Sequence, residues 1–288
     1  YRGLIACLLL SPSLTWAGEV ETALAKLQQV GPKASGASDA TSAWQTLSQA
    51  SASDIPTLLA AIDDENPLAA NYIRSAVETI ADRQGDSLPA DQLEQFVLQI
   101  DHSPRARRFA FELLLQTDPK AEARLLPKML NDPSVELRRD AVAALVAKAQ
   151  GADEQKTLQA AFDAAVDDDQ VKSIAKRLQD LGAEVDIARH YGFLTQWHIV
   201  GPFDNAEEKG FDEPLGPEGQ PIDHSDTFKA SHDKGEVTWK QVATEDDYGR
   251  IDLNEELAKH KSAVAYAVAT FDADSARSVE LRYKSKNA

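Results

Sequence analysis

The sequence predicts a multidomain fold in which an N-terminal α-α solenoid precedes a partial antiparallel β-sandwich of the jelly-roll kind. In residues 18–182, apolar residues recur at three- and four-residue steps, the period of amphipathic helices. Within that region one pattern returns at intervals of 31 to 34 residues, as in repeat proteins. After Gly182 the apolar period changes to the two-residue alternation of strands.

The composition limits the classes of partner. The chain has 288 residues, enough for two domains, and its 43% hydrophobic content is sufficient for packed cores. Its formal net charge is −17. A negative field of this size repels phosphate backbones and anionic membrane surfaces, so we expect no nucleic-acid partner. The acidity is typical of a protein that stays soluble outside the cell.

Residues 1–17 are typical of a secretory signal peptide. Arg2 precedes a short apolar run, and Thr15 and Ala17 form a small-x-small end, which predicts cleavage after Ala17 and export to the periplasm or beyond. Because residue 1 is not Met, we expect this segment to be incomplete at its N-terminus. The apolar run is too short to span a bilayer, and no later run reaches 18 residues, so we expect no transmembrane span.

The single cysteine leaves an alternative for the N-terminus. Leu4-Ile5-Ala6-Cys7 resembles a bacterial lipobox, which would make Cys7 a lipidated anchor, whereas the apolar residues 8–10 that follow favour plain export. If the chain is cut after Ala17, the mature protein has no thiols. Disulfides, thiolate metal sites and cysteine nucleophiles are then excluded.

A four-fold repeat organises residues 18–182. An apolar residue followed by a basic one recurs with the basic residues 33, 31 and 34 positions apart, in Ile73-Arg74, Ala106-Arg107, Leu137-Arg138 and Val171-Lys172. Further apolar residues stand three and six positions after each basic residue: Val77, Ile80, Ala110, Leu113, Ala141, Ala144, Ala175 and Leu178. These offsets share one helical face, so each copy should bury the same stripe. We expect the basic residue to pair with carboxylates of the preceding repeat, Asp132 to cap the next helix, and Pro133 to occupy its first turn.

Each of these helices has an apolar-periodic partner upstream, so that one repeat is two antiparallel helices and a turn. The partners lie at 55–62, 92–100, 122–130 and 158–166. The sequence here resembles the short bacterial form of the HEAT family, most closely in Asp132-Pro133-Ser134-Val135-Glu136-Leu137-Arg138-Arg139-Asp140-Ala141. The resemblance covers residues 50–182 and implies an armadillo-like solenoid that binds proteins or acts as a spacer. Residues 18–50 are expected to form a capping pair.

The remainder of the chain has strand signals. We expect a linker helix in residues 183–192 and a β-sandwich module in residues 193–288. Strands are predicted at 193–200, 237–242, 263–271 and 279–283, with a polar loop at 204–234 and a short turn or helix from Ile251. A sandwich of this kind needs about seven or eight strands, so the module is expected to be incomplete.

A second resemblance covers this module. The matching residues are Trp197, 201–205, 210–212, 217–218, Asp223, 235–239, 249–253 and 265–267. They resemble a galactose-binding-like β-sandwich of secreted proteins of the planctomycete type, where it follows HEAT repeats, and the resemblance implies a carbohydrate ligand. The family continues through an acidic Ser-Asp-Asp segment that residues 284–287 replace, so a ligand site built there would be altered.

The candidate ligand-binding residues are Trp197, Trp239, Asp246, Asp247 and Tyr248. Aromatic rings stack on sugars but are more often core residues, and acidic loops attract cations such as calcium, although this loop lacks the EF-hand spacing. The six histidines lack zinc-site spacings, and the sequence has no nucleophile elbow, Walker loop or dinucleotide-binding motif. We therefore predict no catalytic residue, no metal site and no cofactor.

These features predict an exported, non-catalytic scaffold whose solenoid presents a protein-binding surface. The alternative is a carbohydrate-binding accessory region of a larger secreted sugar-active enzyme, with a catalytic domain beyond residue 288.

Overall fold

The structure is a computed structural model that describes residues 12–33, 35–230 and 235–283. Residues up to Glu184 form one compact unit, the helical unit, and residues from Val185 form a second, the β unit. Cys7, residues 1–11 of the predicted signal peptide, and the segment 284–287 lie outside the described residues. No helix in the described ranges combines the length and the apolar character needed to cross a bilayer.

The helical unit is a succession of helix pairs, each joined by a short turn. The pairs are α1 (Pro12–Leu27) with α2 (Ala37–Ser48), α3 (Ile55–Ala60) with α4 (Pro67–Gln84), α5 (Ala90–Leu98) with α6 (Pro104–Thr117), α7 (Ala121–Leu125) with α8 (Val135–Lys148), and α9 (Glu154–Ala164) with α10 (Asp168–Asp180). The second helices α4, α6, α8 and α10 contain the repeated apolar-basic dipeptide. Their partners α3, α5, α7 and α9 overlap the predicted upstream helices.

The repeated apolar stripe forms the interior of the helical unit. Eleven of its twelve positions are at most 2% exposed, and Ala144 is half-buried against the same core. Ile73, Ala106, Leu137 and Val171, the residues that precede the four basic positions, are each 0% exposed. Full burial of such a side chain stabilises the fold by about 1.5–3 kcal/mol for Val, Leu or Ile. The stripe predicted from the repeat is therefore buried.

The helix starts follow the expected chemistry in two pairs and differ in a third. Asn66 accepts a hydrogen bond from the backbone N–H of Ala69 at 3.1 Å, and Ser103 caps α6, with a proline directly after each cap. The expectation that Asp132 caps α8 from just before Pro133 is wrong. Helix α8 begins at Val135 with Ser134 as its N-cap, so Pro133 also lies before the helix and not in its first turn. The Asp132 carboxylate instead binds the buried Arg107 and accepts from the backbone N–H of Ser134.

The expected pairing of the basic residues with the preceding repeat is also wrong. Arg74 reaches Glu112 of the following pair at 3.6 Å, and Arg107 binds Asp132 in the following turn. Arg138 donates to the backbone oxygen of Asp132, and Lys172 pairs with Asp168 of its own helix. Whether a basic residue pairs with the preceding or the following repeat depends on which carboxylates the packing places beside it. A repeat spacing does not contain that information.

The β unit consists of two small antiparallel sheets and two short helices. Its elements are α11 (Ile187–Tyr191), β1 (Gln196–Asp204), β2 (Thr227–Lys229), β3 (Glu236–Thr238), β4 (Lys240–Ala243), α12 (Leu253–Glu256) and β5 (Ala263–Val268). One sheet has the order β4-β1-β5 and the other pairs β2 with β3. Val200, Phe203 and Trp239 form a core between them, to which Phe228 and Val237 of the smaller sheet contribute.

Two strand predictions in the β unit are wrong. Residues 279–283 form no strand, and Val279, Leu281 and Tyr283 are 50%, 67% and 97% exposed. Apolar alternation gives a strand only where a neighbouring strand accepts its hydrogen bonds, and none of the described backbone does so here. Conversely, β2 lies within the stretch predicted as a polar loop, because a three-residue strand is too short to show alternation.

Candidate functional site

The two predicted aromatic ligand residues lie on opposite faces of the three-stranded sheet. Trp197 is directly opposite Val242 in the pairing of β1 with β4, and so shares its face. Trp239 packs against Val200 and Phe203 on the other face and is only 9% exposed. The two indoles therefore do not form one stacking platform, and Trp239 is a core residue.

Two histidines adjoin the buried indole. The His224 ring meets Trp239 edge-on at a centroid distance of 5.4 Å and stacks on His198 at 3.8 Å. The indole N–H of Trp239 has no hydrogen-bond partner among the described residues. His198 thus has a packing role in β1, and the exposed loop that contains His224 covers Trp239.

The predicted acidic loop is organised by an ion pair. Asp246 accepts hydrogen bonds from the backbone N–H of Tyr248 at 2.9 Å and from the Arg250 guanidinium at 2.8 Å. The bond from Arg250, followed by that from Tyr248, lowers the pKa of the Asp246 carboxyl to about 2. Asp247 is exposed next to it. The Asp246 carboxylate therefore holds the loop together.

Tyr248 belongs to an aromatic patch that the sequence analysis did not identify. Its ring is stacked with Tyr191 at 6.5 Å and meets Phe193 edge-on at 6.2 Å. Phe193 is 40% exposed, and the Arg250 guanidinium lies 5.9 Å from the centre of the Tyr248 ring. We call Tyr191, Phe193 and Tyr248 the aromatic patch. Their separation in the sequence hid the grouping, although each is an aromatic residue next to or near glycine in a linking segment.

Glycine is required where the loop meets this patch. Gly249 has φ +64°, and a Cβ placed there would lie 2.9 Å from the Cβ of Phe193. The backbone of the acidic loop therefore approaches the aromatic patch as closely as a residue without a side chain allows.

The Gly-Pro-Phe-Asp-Asn motif of the second resemblance also has structural roles. Phe203 is 2% exposed, and its ring fits against Gly216, where an added Cβ would overlap the ring. Asn205 accepts a hydrogen bond from the backbone N–H of Gly210 at 2.8 Å. Tyr266 donates its hydroxyl hydrogen to Glu218, and burial, together with this bond, raises the pKa of the Tyr266 phenol. The motif thus fastens the loop after β1 to the sheet.

In the helical unit, arginines of the second helices form a ladder of ion pairs. Arg74 pairs with Glu78 and Glu112, and Arg108 pairs with Glu112 and Asp140. Arg74 also lies 4.6 Å from the ring centre of Phe109. The ladder therefore connects α4, α6 and α8 at their surfaces.

The same kind of contact continues to the last pair. Arg139 binds Asp169 with one guanidinium nitrogen at 2.8 Å and reaches Asp167 at 3.3 Å. The bond to Arg139 lowers the pKa of the Asp169 carboxyl to about 2. The acidic run 167–169 therefore has an arginine partner.

A buried ion pair joins the third and fourth helix pairs. Arg107 binds Asp132 through two nitrogens at 2.8 and 2.7 Å and donates to the backbone oxygen of Val97 at 2.8 Å. The side chains of Arg107 and Asp132 are only 1% and 5% exposed. Their geometry is the planar two-point contact that suits guanidinium and carboxylate.

The turns of successive helix pairs are connected to one another. Asn66 donates from its amide to the backbone oxygens of Gln28 and Val30, at 3.1 Å each. Ser103 contacts Asp64 at 3.2 Å, and the Arg107–Asp132 pair reaches the next turn. Gln170 donates to the backbone oxygen of Arg139 at 2.9 Å. Side chains in the turns or in the first turn of the following helix thus connect each pair to the next.

Among residues 12–33, 35–230 and 235–283, no group of three or more His, Cys, Asp or Glu side chains is placed to hold a metal ion. In comparisons with protein-family models, curated proteins and solved structures, nothing matches this chain.

Proposed function

We propose that the chain is an exported, non-catalytic scaffold in which the helix pairs form a HEAT-like solenoid with a protein-binding surface. The observation that supports this most directly is that each pair contacts the next through side chains in or close to the turns. Stacking of this kind produces an extended surface in which each repeat contacts only its neighbours. The proposal treats the chain as non-catalytic because ion pairs, caps and packing account for the charged and aromatic clusters described above.

Export is compatible with the packing of α1. The helix runs through the predicted cleavage position after Ala17, and Val20, Ala23, Leu24 and Leu27, on the far side of that position, are buried. Cleavage there would leave Val20, Ala23, Leu24 and Leu27 in the core. We therefore expect the mature protein to begin at Gly18, which N-terminal sequencing of the exported fraction tests. A lipidated N-terminus at Cys7 would contradict this.

The scaffold proposal is tested with the whole chain as bait in a periplasmic extract. A captured protein should bind the purified chain again, and cross-linking with mass spectrometry should place it against lysines of the helical unit such as Lys148, Lys172 and Lys176. The control is Leu137→Asp, which puts a charge into the buried stripe and should abolish capture. Cross-links confined to lysines of the β unit, or repeated failure to recover a partner, would contradict the scaffold.

The second candidate function is carbohydrate binding by the β unit, as the accessory region of a larger secreted sugar-active enzyme. The aromatic patch favours it, because exposed rings stack on sugar faces while Asp247 and Arg250 offer hydrogen bonds to hydroxyl groups. On a glycan array, Phe193→Ala should remove binding of the full chain. Phe271→Ala removes a similarly exposed ring (47%) elsewhere in the unit and should not. Equal loss in both variants, or no binding to any glycan, would reject this function.

A further inference from the structure

The exposed large apolar side chains of the helical unit are concentrated at one place. Six are exposed among its described residues, and five of them lie at the turns within helix pairs: Leu68 (44%), Leu98 (41%), Ile100 (63%), Val135 (60%) and Val166 (42%). The sixth, Leu181 (44%), follows the end of α10. We call the first five the turn edge. Single exposed apolar residues scattered over a surface need no explanation, but five that lie in or beside successive turns do.

The turns that contain the turn edge are connected, because side chains in or just after each turn contact the next turn. The turn of the α3–α4 pair meets that of α5–α6 through Asp64 and Ser103. Arg107 of α6 reaches the next turn at Asp132, and Arg139 of α8 reaches the last at Asp167. The apolar side chains therefore lie in or beside successive, connected turns.

Negative charge surrounds these side chains. Segments 62–68, 98–105, 129–136 and 165–169 contain nine carboxylates and one basic side chain, Arg105. Arg107, Arg139 and Lys172 from the helices pair with four of the nine carboxylates and Arg105 pairs with a fifth. These four cations against nine carboxylates leave five negative charges in excess. Any ligand of the turn edge must therefore be both apolar and cationic.

We propose that the turn edge docks a cationic amphipathic helix of a partner protein. This deepens the proposed scaffold function and rests on it. Packed helices lie about 8–10 Å apart, so four successive turns extend over about 30 Å. A helix of about 20 residues has the same length and presents an apolar stripe beside its Lys and Arg residues. A second copy of this chain is a poor occupant, because its net charge of −17 opposes association with the same acidic edge.

The test uses the full chain and a 20-residue Leu/Lys peptide that forms an amphipathic helix, with binding followed by fluorescence anisotropy. Ile100→Ser combined with Val135→Ser removes the two most exposed side chains of the turn edge, and affinity should fall about tenfold. The matched control Leu181→Ser changes an equally apolar side chain away from the edge and should leave affinity unchanged. All three positions are exposed, so circular dichroism should be unaltered.

Charge is tested separately. A Leu/Glu peptide of the same pattern should not bind, and affinity for the Leu/Lys peptide should fall steeply with salt. Equal weakening by Leu181→Ser, equal binding of the Leu/Glu peptide, or binding of zwitterionic phosphatidylcholine vesicles in place of the peptide would overturn the proposal. If a captured partner still cross-links to the helical unit in the Ile100→Ser/Val135→Ser variant, the proposal that the turn edge is the docking site is wrong, while the scaffold proposal stands. If no partner is captured at all, the scaffold itself fails.

Discussion

The buried pair of Arg107 and Asp132 allows the sharpest stability test. Asp132→Ala removes both bonds to the guanidinium and leaves a positive charge that is 1% exposed, with only the Val97 backbone oxygen as a partner. An uncompensated buried charge costs about 3–5 kcal/mol. The backbone N–H of Ser134, which donates to the same carboxylate, also loses its acceptor. We expect the free energy of unfolding of the helical unit to fall by about 4 kcal/mol, much of the total for an ordinary domain.

The assay is urea unfolding followed by circular dichroism at 222 nm, a signal that comes mainly from the helical unit. The double variant Arg107→Met/Asp132→Ala should regain most of the lost stability, because removing both charges eliminates the desolvation problem. The matched control is Arg139→Met, which disrupts the exposed pair with Asp169 and should leave unfolding almost unchanged. A loss below about 1 kcal/mol for Asp132→Ala, or a double variant as unstable as the sum of its parts, would refute the reasoning.

Two further predictions concern the β unit. Arg250 stabilises the ionised carboxylate and lowers the pKa of Asp246 to about 2. The stability that this ion pair contributes is therefore present above the ordinary pKa of 3.8 and is lost as pH falls through 2. Arg250→Ala should move the carbon-13 titration midpoint of Asp246 upward, and an unmoved midpoint would exclude Arg250 as the cause. Gly216→Ala would place a Cβ where it overlaps the Phe203 ring. This change should lower the thermal midpoint, followed by near-ultraviolet circular dichroism, more than Gly219→Ala, because Gly219 has the same left-handed backbone but open space around it. The difference in free energy should be about 1–3 kcal/mol, and equal shifts would contradict the proposed contact.

The helix pairs were predictable because their signal is local. An apolar stripe that recurs with the helical period must be buried against another element, and four copies of the same stripe are expected to be buried by the same kind of packing between helices. Ile73 and Leu137 therefore have 0% exposure in the structure, as the repeat implies. The strands of the β unit were less predictable. Residues 279–283 alternate regularly between apolar and polar side chains, yet a strand requires a neighbour that alternation does not supply.

The candidate site was predictable only in part. Asp246 and Tyr248 do share one loop, but the function of the carboxylate depends on Arg250, and the aromatic neighbours of Tyr248 are Tyr191 and Phe193, more than 50 residues earlier. Trp197 and Trp239 have the same residue type, but Trp197 shares the face of Val242, whereas Trp239, between β3 and β4, packs against Val200 and Phe203 on the other face. Local patterns contain no information about such long-range pairing.

The amino-acid sequence by itself determined the helical period, the repeat length, the buried stripe and the overall acidity, because each follows from residue type and spacing along the chain. Only the tertiary structure decided that Arg107 binds a carboxylate 25 residues further on, and that the five exposed apolar side chains of the turn edge lie among acidic residues. The physical reason is that charge pairing and exposure depend on distances through space, which are settled when the helix pairs pack against each other.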